Sequence, residues 1–350
     1  MTERVGRNGP PPSLARRALG RTAVSLTELG FGGAPLGNLF APVADETARL
    51  AVEEALEAGL RYFDTAPLYG HGRSEGRLGA VLRAHPRVAF VLSTKVGRLL
   101  EPADPSTLSG EAYVDLPPYR AVFDYSGDGI LRSLEASLGR LGLERIDILL
   151  IHDIDAFTHG RARQPERYRE ALAGAYPALD RLRRQGTVRA IGVGVNEWQV
   201  CQRAAEDADF DCFLLAGRYS LLDQGALDTF LPLCLARGIG VIIGGAFNSG
   251  ILATGAVPGA TYDYRPASDE IRARTESLER VCRAHEVPLA AAALQFPLAH
   301  PAVASVIVGM RSAEEVRRNL ALRFHPIPAA LWRDLKAEGL LHPDALTPVE

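Results

Sequence analysis

The sequence predicts a single (β/α)8 barrel, because three patterns occur together along its 350 residues. Eight short apolar runs of strand character alternate with longer segments of helical periodicity. The runs are apolar throughout, and ionisable side chains stand where several of them end. Continuous apolar strands are buried on both faces, which is typical of parallel sheets built with right-handed crossovers. Eight such units favour a closed barrel over an open sheet.

The predicted strands span residues 29–34, 60–64, 88–95, 146–152, 188–195, 212–217, 240–245 and 305–309. The helix candidates include residues 45–58, 128–141, 166–185, 199–207 and 226–237, and a β-hairpin over 17–29 precedes the first strand. Two segments, 98–127 and 247–267, are too long to be plain connections, so we expect long loops on the catalytic rim. Since no composition break marks a linker, we predict a flexible extension over residues 1–18 and one domain over 19–350.

Composition narrows the class of protein. A hydrophobic content of 47% supports a large core, whereas a net charge of −3 with scattered arginines gives no nucleic-acid footprint. No apolar run approaches the roughly 18 residues needed to span a bilayer, and the segment before residue 19 lacks the apolar stretch of a signal peptide. The four cysteines form no Cys-x-x-Cys pair, as expected of free thiols in a reducing cytoplasm. We therefore predict a cytoplasmic protein without membrane or nucleic-acid partners.

Ionisable side chains at three consecutive predicted strand ends form the candidate catalytic site. Asp64 and Tyr69 flank the turn after the second strand, Lys95 ends the third and His152 ends the fourth. The lysine is informative because only Lys95 and Lys336 are lysines among 39 basic residues. Arginine serves equally well for charge, whereas lysine also shares its proton. Because strand ends converge at the barrel mouth, we expect the four groups to meet there.

Together these groups predict a proton-transfer site. The pKa of a phenol is ordinarily about 10, and we expect the Lys95 ammonium to lower the pKa of Tyr69. Asp64 would hold Lys95 and keep it protonated, while His152 would donate a hydrogen bond to a reacting oxygen. Each residue also has a structural alternative, as a turn cap, a rim aromatic or a strand-end histidine, but their conjunction favours catalysis. No histidines fall at metal-ligand spacing, so we expect no metal.

Four segments resemble signature segments of the aldo-keto reductase family, in order and in spacing. They are Gly59-Leu-Arg-Tyr-Phe-Asp-Thr-Ala-Pro-Leu-Tyr-Gly, Ser93-Thr-Lys, Asp147-Ile-Leu-Leu-Ile-His and Val306-Ile-Val-Gly-Met-Arg-Ser. The resemblance covers residues 19–322 and implies a TIM barrel with a nicotinamide cofactor across its mouth. It also implies Tyr69 as the proton donor or acceptor, Lys95 and Asp64 as its tuners, and His152 as the group that orients the substrate oxygen.

Further segments resemble the aldose 1-dehydrogenase branch, which includes L-fucose, D-threo-aldose and pyridoxal 4-dehydrogenases. They include Ala34-Pro-Leu-Gly-Asn-Leu and Gly245-Ala-Phe-Asn-Ser-Gly-Ile-Leu. The resemblance implies that Asn196 binds the nicotinamide carboxamide and that residues 245–252 wrap the pyrophosphate. The chain departs from the wider family at Ala216, where a glutamine is common, and at Gly244, where a stacking tyrosine is common. Stacking is then expected from Tyr219 or Phe247. The full set implied around the cofactor is Gly33, Ala34, Asn196, Tyr219, Gly244, Gly245, Ala246, Phe247, Asn248, Gly250, Leu252, Gly309, Arg311, Ser312, Glu315 and Asn319.

The turn that opens the last barrel helix bears on the choice between NAD and NADP. Arg311 suits a 2′-phosphate, but Glu315 stands where a phosphate-binding arginine is common in the family. Ser312 and Glu315 also form a capping box, which by itself explains the glutamate. We expect NAD or NADP as cofactor, with NAD favoured.

The sequence thus predicts an NAD(P)-dependent oxidoreductase that transfers hydride at C1 of an aldose, giving the lactone, with Tyr69 as the base. Pyridoxal oxidation and broad aldehyde or ketone reduction are alternatives for the same site. We expect substrate contacts from Asp153 and from aromatics of the 98–127 loop, namely Phe123 and Tyr125 with Tyr113 and Tyr119, although these aromatics would equally pack their loop onto the barrel. Two other classes stay open: a Schiff-base lyase that uses Lys95, and a non-catalytic nicotinamide-binding regulator. The sequence does not choose the sugar, the direction or the oligomeric state.

Overall fold

Eight parallel strands close into a barrel in the computed structural model, which describes residues 13–108 and 112–348. The strands are β1 (Leu29–Gly32), β2 (Tyr62–Asp64), β3 (Val91–Val96), β4 (Ile148–His152), β5 (Ala190–Val195), β6 (Cys212–Ala216), β7 (Gly240–Gly244) and β8 (Val303–Gly309). Each pairs with its neighbours in chain order, and β8 pairs in parallel with β1 to close the barrel. The predicted (β/α)8 fold is confirmed.

Helices surround the barrel and pack their apolar faces against it. They are α1 (Asp45–Glu57), α2 (Arg73–Leu82), α3 (Gly127–Leu141), α4 (Ala156–Glu170), α5 (Tyr176–Arg184), α6 (Trp198–Asp207), α7 (Phe230–Arg237), α8 (Ile251–Thr254), α9 (Asp269–Ala284), α10 (Leu289–Gln295), α11 (Ala313–Arg323) and α12 (Ala329–Ala337). In the described part of the chain no helix is long and apolar enough to cross a membrane, and no group of His, Cys, Asp or Glu is arranged to hold a metal ion.

Several predicted boundaries are corrected by the structure. The helix predicted over 166–185 begins earlier, at Ala156, and passes through a π-helical segment, Ala171–Ala175. Gly160, with φ 71°, kinks the start of this helix. Gly160 and Pro165 interrupt the helical periodicity of the sequence, so this part of the helix was not predicted. The helix predicted over 226–237 begins at Phe230, because Thr229 before it has non-helical angles.

The described residues also form three two-stranded hairpins at the ends of the barrel. The predicted N-terminal hairpin pairs Arg16–Ala18 with Ser25–Thr27, and its Leu19, Val24 and Leu26 join the apolar cluster inside the barrel. Of the predicted extension 1–18, residues 1–12 lie outside the described residues, while the last three form the first strand of this hairpin.

The two long loops contain the other hairpins, Arg98–Pro102 with Tyr119–Phe123 and Thr261–Tyr262 with Arg265–Pro266. Both hairpins follow barrel strands, β3 and β7 respectively, and therefore lie at the carboxyl ends of the strands.

The buried thiols predict alkaline lability. All four cysteines are free and buried, and burial raises the pKa of Cys234 and of Cys282 from 9.0 to about 12. A raised pKa means that the unfolded chain releases these protons first, so stability is complete below pH 9 and is lost as the pH rises towards 12. We expect the two thiols to account for about 3 kcal/mol of lost stability between pH 8 and pH 10. Urea unfolding with a reductant present, compared with Cys234→Ala/Cys282→Ala, measures the difference. An equal loss in the variant would contradict the assignment.

Candidate active site

The four candidate catalytic residues come from three neighbouring barrel strands. Asp64 is the last residue of β2 and pairs in register with Ser93 of β3, while Lys95 of β3 pairs with Leu150 of β4. His152 ends β4, and Tyr69 lies in the turn that follows β2. The structure therefore brings together the four residues that the sequence singled out.

A buried salt bridge forms the base of the site. Lys95 Nζ donates to Asp64 Oδ2 at 2.8 Å and to the carbonyl oxygen of Thr65 at 2.9 Å, and both charged side chains are 1% exposed. The second carboxylate oxygen, Oδ1, accepts from Ser93 Oγ at 2.7 Å, and Tyr62 hydrogen-bonds that hydroxyl at 2.9 Å. Because each oxygen of Asp64 has a donor, the pair is satisfied and its geometry is fixed.

Tyr69 lies between the lysine and the histidine. Lys95 Nζ lies 4.5 Å from the centre of the Tyr69 ring, over its face, and the His152 ring packs edge-on at 6.1 Å between centroids. Burial raises the pKa of Tyr69 well above its ordinary value, and the Asp64 carboxylate raises it further. The expectation of a pKa below the ordinary value of Tyr69 is therefore wrong for the protein alone, because desolvation outweighs the ammonium over the ring face. Tyr69 is a protonated phenol at neutral pH.

Two glycines fix the turn that carries Tyr69. Gly70 has φ 61°, in the left-handed region that favours glycine, and its Cα faces the backbone of Gly37. A Cβ on either glycine would overlap the backbone of the other. This close approach holds the loop after β1 against the turn after β2, and so sets the height of the phenol above Lys95.

His152 is a neutral imidazole. Burial lowers its pKa well below the ordinary value, and the cations Lys95 and Arg98 lower it further. Nε2 lies 3.4 Å from Asp153 Oδ2, and Nδ1 is buried without a partner among the described residues. A neutral ring carries one N–H donor, which is the group needed to bind a reacting oxygen.

These residues open onto a cavity of about 460 Å³, which suits a small metabolite. Its wall includes Tyr69, Lys95, His152 and the predicted substrate residue Asp153. Tyr113, one of the aromatics expected from the long loop after β3, also lines the cavity. The other wall residues were not predicted from the sequence: Leu39, Leu68, Arg98, Ala112, Phe157, Thr158, Gly194, Val195, Leu214, Asp263, Tyr264 and Arg265. The tyrosines of the two long loops were the available signal, since both loops were expected on the rim.

Phe123 and Tyr125 do not form part of this wall. The Tyr125 hydroxyl donates to the carbonyl oxygens of His152 and Asp153 at 2.8 and 2.7 Å, and the ring is 2% exposed. Phe123 packs under Arg98, whose guanidinium lies 4.2 Å from the ring centre. The structure thus corrects the expected substrate contacts: the two aromatics pack their loop onto the barrel and support the wall from behind.

The nicotinamide end of the expected cofactor site is present in part. Ala34, Asn196 and Ala216 line the cavity, and Asn196 is fixed by its backbone N–H, which donates to Asp155 Oδ2 at 2.7 Å. Gly244 ends β7 beside Ala216. Tyr219 is fully buried against Phe296, with ring centroids 5.1 Å apart, so it does not supply the expected stacking surface. Of the expected stacking residues, only the half-buried Phe247 stays a candidate.

The loop 245–252 forms a cradle of turned backbone. Gly245, Asn248, Ser249 and Gly250 all have positive φ, while Ala246 and Leu252 anchor the loop in the core. The N–H groups of Asn248 and Gly250 close these turns by donating to the carbonyls of Gly245 and Phe247 at 2.8 and 3.0 Å. Asn248 donates to the Gly217 carbonyl at 3.0 Å, but its own Oδ1 is buried without a partner among the described residues. The unpartnered Asn248 Oδ1 beside this turned backbone fits a polar ligand such as the expected dinucleotide.

The expected adenosine end lies at the start of α11. Gly309 ends β8, Ser312 caps the helix by accepting from the Glu315 N–H at 3.2 Å, and Asn319 is buried on the helix. Glu315 binds both the backbone N–H and the guanidinium Nε of Arg311, at 2.9 and 2.8 Å. The capping interaction is therefore present, and the same glutamate neutralises the one arginine in this turn that suits a phosphate.

The fold and this site define a barrel oxidoreductase. Residues 28–337 match the model of the Aldo/keto reductase family, and the chain belongs to that family. Two relatives with more than 40% identity to this chain are dehydrogenases, which supports an NAD(P)-dependent enzyme. The sequence-based recognition of the family is confirmed. Membership of the family favours an oxidoreductase over the regulator and the Schiff-base lyase.

Three comparisons locate the chain within the family. It is 47% identical to a pyridoxal 4-dehydrogenase from Microbacterium luteolum and 41% identical to a D-threo-aldose 1-dehydrogenase from a Pseudomonas species, each over 93% of this chain and 98% of the relative. Among solved structures it is similar to the holo form of an aldo-keto reductase from Bacillus halodurans, with a TM-score of 0.72 and 26% identity over 94% of this chain and 97% of that one. These relatives match the branch that the sequence indicated.

Proposed function

We propose that this protein oxidises the hydroxyl on C1 of an aldose in its cyclic hemiacetal form, giving the lactone. The observation that carries the proposal is the placement of Tyr69 in the cavity wall, over Lys95 and against His152. Such an oxidation removes a hydride from C1 and a proton from its hydroxyl. A phenol and a neutral imidazole at one wall suit the proton half of that reaction.

The residues of the chain divide this work. Tyr69 takes the hydroxyl proton, the His152 N–H holds the same oxygen, and Lys95 with Asp64 supplies the charge next to the phenol. A bound nicotinamide would supply the hydride acceptor. In aldehyde reduction the same phenol gives its proton back, so the same residues serve both directions.

Pyridoxal is the second candidate substrate. The first of the two relatives is named for it, and three aromatic residues besides Tyr69 line the cavity, Tyr113, Phe157 and Tyr264. Phe157 and Tyr264 lie with ring centroids 6.5 Å apart at the rim, so a flat pyridine ring would find stacking partners there. Pyridoxal also closes to a cyclic hemiacetal, so the chemistry at the reacting carbon is the same.

A substrate panel tests the proposal. Purified enzyme would be given a set of aldoses, pyridoxal and simple aldehydes with each cofactor, and formation of the reduced nicotinamide and of the lactone would be followed. We expect oxidation of at least one aldose to its lactone. Oxidation of pyridoxal alone would favour the second candidate, and reduction of simple aldehydes without sugar oxidation would refute both.

We further infer that NAD is the favoured cofactor, since Glu315 accepts two hydrogen bonds from Arg311. Replacing Glu315 with glutamine removes a negative charge near the expected 2′-phosphate and releases the arginine. The Kd for NADP should fall about 5-fold, while the Kd for NAD changes little. Fluorescence titration of each cofactor measures this, with Glu314→Gln on the same turn as the control. Unchanged NADP affinity in the Glu315 variant would exclude the inference.

A further inference from the structure

We propose that Asp153 selects the substrate by accepting a hydrogen bond from a hydroxyl on the carbon next to the reacting carbon. The substrate class would then be 2-hydroxy aldehydes and their cyclic hemiacetals, in preference to aldehydes that lack this hydroxyl. The inference deepens the proposed function and rests on it for the position of the reacting oxygen. Arg98 is a positioning residue that holds the Asp153 carboxylate.

The backbone of Asp153 is held in an unusual conformation. Its φ is 55°, in the left-handed region that non-glycine residues rarely adopt. Its N–H donates to the Gly194 carbonyl at 3.0 Å, and its carbonyl accepts from the Tyr125 hydroxyl and from His159 Nε2, each at 2.7 Å. Strained residues that are clamped on several sides cluster at functional sites. Here the clamp turns the side chain of Asp153 to the cavity wall.

One oxygen of the Asp153 carboxylate pairs with neighbouring side chains, and the other accepts no hydrogen bond from the described residues. Oδ2 pairs with Arg98 Nη2, and it lies 3.4 Å from His152 Nε2. Oδ1 accepts no hydrogen bond from residues 13–108 or 112–348, although Asp153 is only 7% exposed. Asp153 lines the cavity and its Oδ1 is not enclosed by protein atoms, so this oxygen is open to accept a hydrogen bond from a ligand.

The position of His152 indicates which group of the ligand would donate to Asp153. Because His152 binds the reacting oxygen in the proposed reaction, the Asp153 carboxylate lies beside that oxygen. A hydroxyl on the adjacent carbon would then reach Asp153 Oδ1, whereas a simple aldehyde would leave that oxygen without a donor. A site built to bind a hydroxyl strongly rejects the analogue that lacks it.

Arg98 completes the arrangement from behind. It is buried, and its guanidinium packs on the Phe123 ring at 4.2 Å. It starts the hairpin strand Arg98–Pro102, so the long loop after β3 sets the position of the Asp153 carboxylate. The loop therefore contributes to specificity through an ion pair as well as through Tyr113, which lines the cavity.

Two substrate pairs test the proposal. The ratio of kcat/KM values would be measured for reduction of lactaldehyde against propanal and for oxidation of L-fucose against 2-deoxy-L-fucose. The wild type should prefer the hydroxylated member by about 100-fold, and Asp153→Asn should reduce that ratio by about 10- to 100-fold. Asparagine tolerates the left-handed backbone, so the turn is kept. If both members of a pair lose activity equally, Asp153 acts through His152 and the proposal is wrong.

A second variant and a control variant distinguish a loss of preference from a loss of folding. Asp153→Asn removes the carboxylate that pairs with Arg98, so Arg98→Gln/Asp153→Asn, which removes both charges of this pair, should fold and show the same loss of preference. Asp211→Asn breaks another buried pair, with Arg183 at 2.9 Å, at a distance from the cavity, and should keep the wild-type ratio. If no sugar is oxidised, the proposed function fails, but the lactaldehyde and propanal ratio still decides the role of Asp153.

Discussion

Replacing Tyr69 with phenylalanine is expected to lower kcat by about 10²- to 10⁴-fold, the range that a positioned proton-transfer group contributes. The ring that packs over Lys95 and against His152 is kept, so folding and cofactor binding should be unchanged. Only the hydroxyl that exchanges the proton is removed. Steady-state kinetics in both directions, with cofactor titration alongside, measures the effect.

Tyr168→Phe is the matched control, because Tyr168 is a buried phenol whose hydroxyl bonds Asp207 at 2.7 Å, away from the cavity. It should leave kcat at the wild-type value. Retention of activity by Tyr69→Phe would overturn the proposed proton transfer, and the site would then need another acid and base.

The raised pKa of Tyr69 gives this prediction a pH signature. Because burial and Asp64 keep the phenol protonated, the base form needed for oxidation is scarce at neutral pH and grows as the pH rises. The oxidation rate should therefore increase up to tenfold per pH unit, while aldehyde reduction, which needs the acid form, stays level until the phenol ionises. Tyr69→Phe should abolish the slope along with the rate.

The barrel itself could be predicted from the sequence because its strands are continuous apolar runs. The predicted strand 146–152 and the observed Ile148–His152 end at the same histidine, which is why the catalytic positions were placed correctly. Strand ends are set locally, by the change from apolar to polar residues. The kinked helix after β4 was not predicted as well, because Gly160 and Pro165 interrupt the periodicity that identifies helices.

The electrostatics of the site could not be predicted in the same way. Proximity of Lys95 to Tyr69 was correctly expected, but the direction of the pKa shift depends on the depth of burial and on which part of the ring the ammonium faces. The same holds for Arg98 and Asp153, which are 55 positions apart and become a pair only through the hairpin fold of the long loop. Pairings of this kind need the three-dimensional arrangement.

Lys95→Met is expected to lower both activity and stability, because it breaks a buried pair at its positive member. The Asp64 carboxylate would keep Ser93 as a donor but lose the 2.8 Å bond to Nζ. An uncompensated buried charge costs about 3–5 kcal/mol, which urea unfolding would show as a lower midpoint. The loss of charge beside Tyr69 should also lower kcat by about 10²-fold or more.

The double variant Asp64→Asn/Lys95→Met separates the two effects. With no buried charge left, most of the lost stability should return, since an ion pair replaced by neutral groups is close to neutral in free energy. The activity should not return, because the phenol still lacks its ammonium neighbour. Recovery of activity with stability would show that the pair only supports the fold. The absence of a borohydride-trapped adduct on wild-type Lys95 would complete the case, since a Schiff-base lysine must lose the proton that this salt bridge holds.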